Sequence, residues 1–208
     1  MISKFKIDKQ MLIASAGSCF AQRISNDLIS KGFNYLIGEQ FPNTLPSSII
    51  NNFNYRVFSA RYGNIYTTLQ LKQLLDRALG KFQPVESYWS TDKGFYIDPF
   101  RPRIQPNGFE SIEELEKDRN YHLNKVCKLM KECNIFIFTL GLTECWIDNR
   151  DNSVYPSCPG RGFGVFNEDI HKFKNLSHDE TFKGLDEFIH QLREINPEVK
   201  IILTVSPI

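Results

Sequence analysis

The sequence predicts an α/β fold, a mainly parallel sheet covered by helices on both faces, in one domain over residues 1–208. Three observations carry this prediction. Apolar runs of strand length alternate with amphipathic helical stretches along the chain. The run Ile135-Phe136-Ile137-Phe138-Thr139-Leu140 is apolar almost throughout, as expected of a strand buried on both faces. A length of 208 residues suits one domain with a full core.

In order, Met11 to Ala16 reads as the first strand. The helix from Phe20 to Lys31 follows, with Phe20, Ile24 and Leu28 on one stripe and Gly32 as its left-handed stop. Phe33, Tyr35 and Ile37 alternate as a short second strand, and residues 38–66, with Pro42 and Pro46, read as irregular. Thr67 and Gln70 form a capping-box pair opening a helix with Leu71, Leu74, Leu75 and Ala78 on one face, closed by Gly80. Tyr88 to Asp98 reads as a hairpin turning at Asp92-Lys93-Gly94, and the proline-rich stretch 99–108 as a loop.

Ser111 and Glu114 cap a long helix running to about Cys133. After the apolar strand comes a polar hairpin turning within Asn149 to Asn152, then a glycine-rich loop over Cys158 to Gly164 placed across the cleft. Ser177 and Glu180 cap a helix carrying Phe182, Leu185, Phe188, Ile189 and Leu192, stopped by Asn196-Pro197. Val199 to Val205 is the last strand.

Composition excludes several classes. Net charge is +1 with dispersed basic residues, which argues against a nucleic-acid surface. No apolar run approaches the ~20 residues that span a bilayer. The five cysteines are an odd number without metal-ligand spacing, so they read as free thiols of a cytoplasmic protein. Lys4, Lys6 and Lys9 before an apolar stretch ending in Ala16-Gly17-Ser18-Cys19 imitate an export signal. That stretch is short, however, and interrupted by Ser15, Gly17 and Ser18.

In a parallel sheet the working site lies beyond the carboxyl ends of the strands. Three segments fall there: Gly17-Ser18, Gly141-Leu142-Thr143-Glu144 and Ser206-Pro207-Ile208. A serine where a strand hands over to a helix can present its hydroxyl beside free backbone N–H groups, as acyl transfer requires. An ordinary tight turn has the same local pattern. Cys19, in the first helical turn, is the other nucleophile on offer.

Gly17-Ser18-Cys19-Phe20-Ala21, Arg61-Tyr62-Gly63-Asn64-Ile65-Tyr66-Thr67, Thr139 to Trp146 and Leu203 to Pro207 together resemble the GSCFA family, itself similar to the SGNH/GDSL hydrolases. The resemblance implies a three-layer α/β/α sandwich and a serine esterase or O-acyltransferase acting through an acyl-Ser18 intermediate. The substrate would be a small-molecule or carbohydrate ester, with no cofactor and no metal. Ser18 occupies the nucleophile position, and its own N–H would be one oxyanion donor. Gly63 and Asn64 stand for the second block, and Gly141 to Glu144 for Gly-x-Asn-Asp, with Thr143 replacing the oxyanion asparagine. An Asp-x-x-His pair should follow the last strand, yet the sequence stops at Ile208. This suggests a portion of a longer member lacking its C-terminal elements. Within the chain, Glu168-x-x-His171 imitates the acid–base pair, whereas His122 and His190 read as helix-surface residues and His178 as solvated. Glu144 and Trp146 are candidates for the pocket lining, although Trp146 can equally pack under the hairpin. The alternative is a catalytically degenerate carbohydrate- or ligand-binding module, or an inactive fragment.

Overall fold

The computed structural model describes residues 3–41 and 46–206, so the expectations for Pro42, Pro207 and Ile208 lie outside the described residues. In chain order the elements are β1 (Ile13–Ala16), α1 (Cys19–Ser30), α2 (Ser47–Asn52), α3 (Thr68–Ala78), β2 (Trp89–Ser90), β3 (Tyr96–Ile97), α4 (Ile112–Glu132), β4 (Ile135–Leu140), β5 (Glu144–Asp148), β6 (Val154–Tyr155), β7 (His171–Asn175), α5 (His178–Ile195) and β8 (Lys200–Val205).

β1, β4 and β8 form a parallel sheet in that order, with Ile13 opposite Ile135 and Ile135 opposite Lys200. Strand alternation divides the side chains between two faces. Ala14, Ala16, Phe136 and Phe138 share a core with Leu71 and Leu75 of α3, Val126 and Met130 of α4, and Phe188 and Leu192 of α5. Ile13, Ile135 and Ile137 pack instead with Ile24 and Leu28 of α1. β4 lies between β1 and β8 with α1 over one face and α3, α4 and α5 over the other, so neither face tolerates a polar stripe. Each fully buried side chain of this size contributes about 1.5–3 kcal/mol relative to exposure.

β6, β5 and β7 form a separate antiparallel sheet, and β2 and β3 a hairpin. Three helix starts carry the expected caps: Thr67, Ser111 and Ser177 each accept a bond from the N–H three residues on. Only Ser177 with Glu180 completes the reciprocal box. Among the described residues, no helix is long and apolar enough to cross a membrane.

The structure corrects five expectations. The expected second strand is reduced to one bridge, Tyr35 beside Ile13, and the Tyr35 ring turns inward to bond the Ser15 hydroxyl at 2.7 Å. Residues 171–175, where the sequence marks no strand and His171 reads as loop, form β7; only His171 of the five is buried, so no apolar alternation marks the strand. A short helix, α2, interrupts the stretch read as irregular. Phe182 is exposed and stacks on His178 instead of joining the core. His122, read as a surface residue, is completely buried in α4.

His122 is buried because Glu39 is buried with it. Its Nδ1 lies 2.6 Å from Glu39 Oε1, which also accepts the Arg61 backbone N–H at 2.7 Å. Burial alone would raise the Glu39 pKa. His122, Arg101 and the Arg61 N–H outweigh that and hold it down at about 2. Burial, aided by the Arg101 charge, pushes His122 down to about 4. At neutral pH a carboxylate therefore faces a neutral ring whose Nδ1–H donates, leaving Nε2 without a partner among the described residues. An unfolded histidine takes its proton near 6.5, whereas the folded one resists down to about 4. Stability contributed by this residue is thus complete above pH 6.5 and is lost as pH falls toward 4. The loss is on the order of 3 kcal/mol. Urea unfolding across this range should show that fall, and His122→Gln should flatten it.

Candidate active site

The site begins with a turn that only glycine can make. β1 ends at Ala16, and Gly17 follows at φ 151°. A Cβ at Gly17 would stand 2.8 Å from the Ala21 Cβ of α1 and 2.9 Å from the Thr139 Cβ of β4. This close approach delivers Ser18 to the N-cap of α1 at the carboxyl end of the sheet. Ser18 is 8% exposed, and its hydroxyl does not cap the helix. Among the described residues, that hydroxyl has no hydrogen-bond partner.

Two further segments close around it. Ile65 donates its N–H to the Gly17 carbonyl at 2.9 Å, and Leu142 donates to the Tyr66 carbonyl at 3.1 Å. A Cβ built on Gly141 would lie 3.8 Å from the Ser18 hydroxyl and 3.4 Å from the Tyr66 carbonyl. The loops after β1 and β4 therefore meet at Ser18, with residues 63–66 between them. Ser206 donates its N–H to the Leu140 carbonyl at 2.8 Å, so the chain after β8 reaches the same sheet end.

Gly63 turns at φ 68° with open space where a Cβ would stand, and it makes no hydrogen bond among the described residues. Asn64 is held from both ends: its carbonyl side accepts from Gln22 Nε2 at 3.3 Å, and its amide donates to the Tyr66 hydroxyl at 3.0 Å. Gln70 braces the same loop. Its amide oxygen accepts the Tyr66 N–H at 2.9 Å, and its nitrogen donates to the Asn64 carbonyl at 3.0 Å. The side chain expected to close a capping box with Thr67 thus shapes the loop beside Ser18 instead.

Gln22, Gly63, Asn64 and Tyr66 form one wall of a cavity of about 250 Å³. The 100–104 stretch and the glycine-rich loop (Pro156, Ser157, Arg161 and Phe163) supply the opposite walls. Gly164 keeps that loop against β2, since a Cβ there would meet the Trp89 ring at 2.8 Å.

The other predicted site residues are engaged as follows. Glu168 and His171 do not pair. Glu168 is exposed in the turn before β7, while buried His171 faces Glu86 at 3.3 Å and accepts the Asn167 N–H at 3.2 Å. Thr143 donates its hydroxyl to Asn175 at 2.6 Å, and Glu144 is exposed at the start of β5. Trp146 packs edge-on against Phe166 and Phe173 and does not line the cavity. Cys19 is exposed and, like the other four cysteines, free. His178 and His190 are exposed beside Asp179 and Asp186.

Glu86, Asp148 and His171 place potential metal-ligand atoms within 4.8 Å of one another, a cluster the sequence did not signal. Their oxygens are already engaged. Glu86 accepts from the Trp89 indole at 2.8 Å and the Tyr155 hydroxyl at 2.9 Å, and Arg150 chelates Asp148. Arg150 brings positive charge to both carboxylates, within 3.8 Å of Glu86 and in contact with Asp148.

A model of the GSCFA family matches residues 12–208. The chain belongs to the GSCFA family. The match extends over all the segments that converge on Ser18. No curated protein and no solved structure matches this GSCFA chain.

Replacing Gly17 by alanine forces a Cβ into contacts below 3 Å at a backbone conformation that alanine avoids. Overpacking of this kind costs about 1–3 kcal/mol before strain is added. Gly17→Ala should lower the unfolding free energy read from urea titration by at least that amount, whereas Gly80→Ala, where nothing lies within 4 Å, should cost less.

Proposed function

We propose that this GSCFA protein is an SGNH-like serine esterase or O-acyltransferase with a three-layer α/β/α arrangement. The observation that carries the reading is the Ser18 hydroxyl, without a hydrogen-bond partner among the described residues and set at a helix N-terminus where three loops converge. In this reading the Ser18 oxygen attacks an ester carbonyl. The carbonyl oxygen, now negative, is met by backbone N–H groups of Ser18 and Gly63. The ester C–O bond then breaks, the alcohol leaves with a proton, and water or a second hydroxyl resolves the acyl-serine. The packing of α1 on one sheet face and α3, α4 and α5 on the other supports the layered fold. No cofactor enters the scheme, and a small hydroxylated ester fits the cavity's size.

A second reading, a binding module of the same fold, is favoured by one specific observation. Each of the four histidines is bonded away from Ser18, and Thr143 is committed to Asn175. A serine hydroxyl without a base is a poor nucleophile at neutral pH.

A fluorophosphonate probe separates the two. On the esterase reading the folded protein is labelled at Ser18, and hydrolysis of 4-nitrophenyl acetate disappears in Ser18→Ala. Absence of both labelling and turnover in folded protein would support the binding module and end the esterase proposal.

A further inference from the structure

The cavity walled by Gly63, Asn64 and Tyr66, the segment bonded to the turn before Ser18, does not include Ser18 in its lining; among the described residues it is lined by three arginines, Arg101, Arg103 and Arg161, and by no aspartate or glutamate. Polar amides fill in between them: Asn54 and Asn64 lie on the wall, with Gln22 at the α1 side. A pocket with this lining is electrostatically one-sided, and in a concave, low-dielectric site such a field is focused, not screened.

The three guanidinium groups differ in how their charge is met. Arg101 is fully buried, with its side chain 1% exposed, and it pairs with Asp98 and Asp118 behind the cavity wall. Its Nη1 is closed to solvent and, among the described residues, has no hydrogen-bond partner. Arg103 and Arg161 are exposed, and among the described residues neither has a carboxylate within ion-pairing distance.

The wall that presents them is built rather than incidental. Asn54, held at a positive φ of 57°, donates its amide to the Arg103 carbonyl at 2.7 Å, and Arg61 Nη2 donates to the Ile104 carbonyl at 2.9 Å. The backbone carrying Arg101 and Arg103 is therefore fixed from beneath.

We infer that the cavity is a subsite for an anionic group, a carboxylate or a phosphate, on a molecule of about monosaccharide size. That this anion belongs to the ester attacked by Ser18 rests on the function proposed above; the anion site itself does not. Arg103 and Arg161 supply charge and paired donors to the anion, while Arg101 is held behind the wall by its own carboxylates.

Titration calorimetry on the full chain carrying Ser18→Ala, with glucuronate, glucose 6-phosphate, glutarate and glucose, tests the site. At least one anion should bind about tenfold more tightly than glucose, and added salt should weaken that binding. The double variant Arg103→Gln/Arg161→Gln should lose about tenfold for that anion with an unchanged melting temperature. The salt response reads the same contact in protein whose arginines are intact. Preference for glucuronate over glutarate places the charge on the alcohol, the reverse places it on the acyl chain, and glucose 6-phosphate above both identifies a phosphate. Equal affinity for all four, binding of none, or anion binding indifferent to the double substitution would overturn the inference. Anion binding without Ser18 labelling removes the esterase reading alone; labelling without anion preference removes this one alone.

Discussion

Arg61 is the residue on which the geometry around Ser18 depends. Its guanidinium donates to the Phe53 carbonyl, the Ile104 carbonyl and Asp118 of α4, each at 2.9 Å, and lies 4.2 Å from the centre of the Tyr55 ring. Its backbone N–H fixes Glu39. One buried side chain thus holds the segments before α3, before α4 and on α4 in a single arrangement. The two following residues inherit that position. Tyr62 is buried with its hydroxyl on the Ser15 carbonyl of β1, and Gly63 turns the chain toward Ser18. A buried ion pair of this kind adds little net stability compared with an apolar replacement, while breaking it by removing one partner costs about 3–5 kcal/mol. Its contribution is positional. Lysine could not take its place, because a point charge cannot meet three acceptors in one plane.

Much of the fold was legible because local and global signals agreed. Ser111, Ser177 and Thr67 mark helix starts through their own hydrogen bonds, and the uninterrupted run in β4 reflects a strand with neighbours on both sides. The signals failed where an element buries only one side chain or none. β7 shows alternating Lys172 and Lys174 around Phe173, which is itself exposed, so its strand character comes entirely from pairing with β5. His122 reads as polar on an amphipathic helix, and its burial depends on Glu39, eighty-three residues away in sequence. No local pattern carries that information.

The candidate site divides in the same way. The convergence of the segments after β1 and β4 follows from sheet topology, and Ser18, Gly63, Asn64 and Gly141 were legible from it and from the family blocks. The cavity was not. Its arginines come from the 100–104 stretch and the loop around Gly162, two irregular regions joined only in space. His171 illustrates the opposite error. Its spacing from Glu168 imitates a catalytic pair, yet β7 begins at His171 and turns the ring inward, leaving Glu168 in solvent.

The cavity wall also shows how one short sequence separates structural from available charge. Arg101 and Arg103 are two residues apart, with Pro102 between them holding φ near its single permitted value. Arg101 turns into the protein, where a permanently charged guanidinium is tolerable only because Asp98 and Asp118 meet it. Burial would raise the Asp98 pKa, but Arg101, Arg119 and Arg77 together hold it far below the usual carboxylate range, so this compensation persists throughout neutral pH. Arg103 stays in water and needs no partner to be stable. The acids of this region are thereby consumed behind the wall, and none remains to neutralise the face in front of it. An excess of positive charge at the cavity follows from where the carboxylates are spent, not from the composition of the chain, whose net charge is only +1.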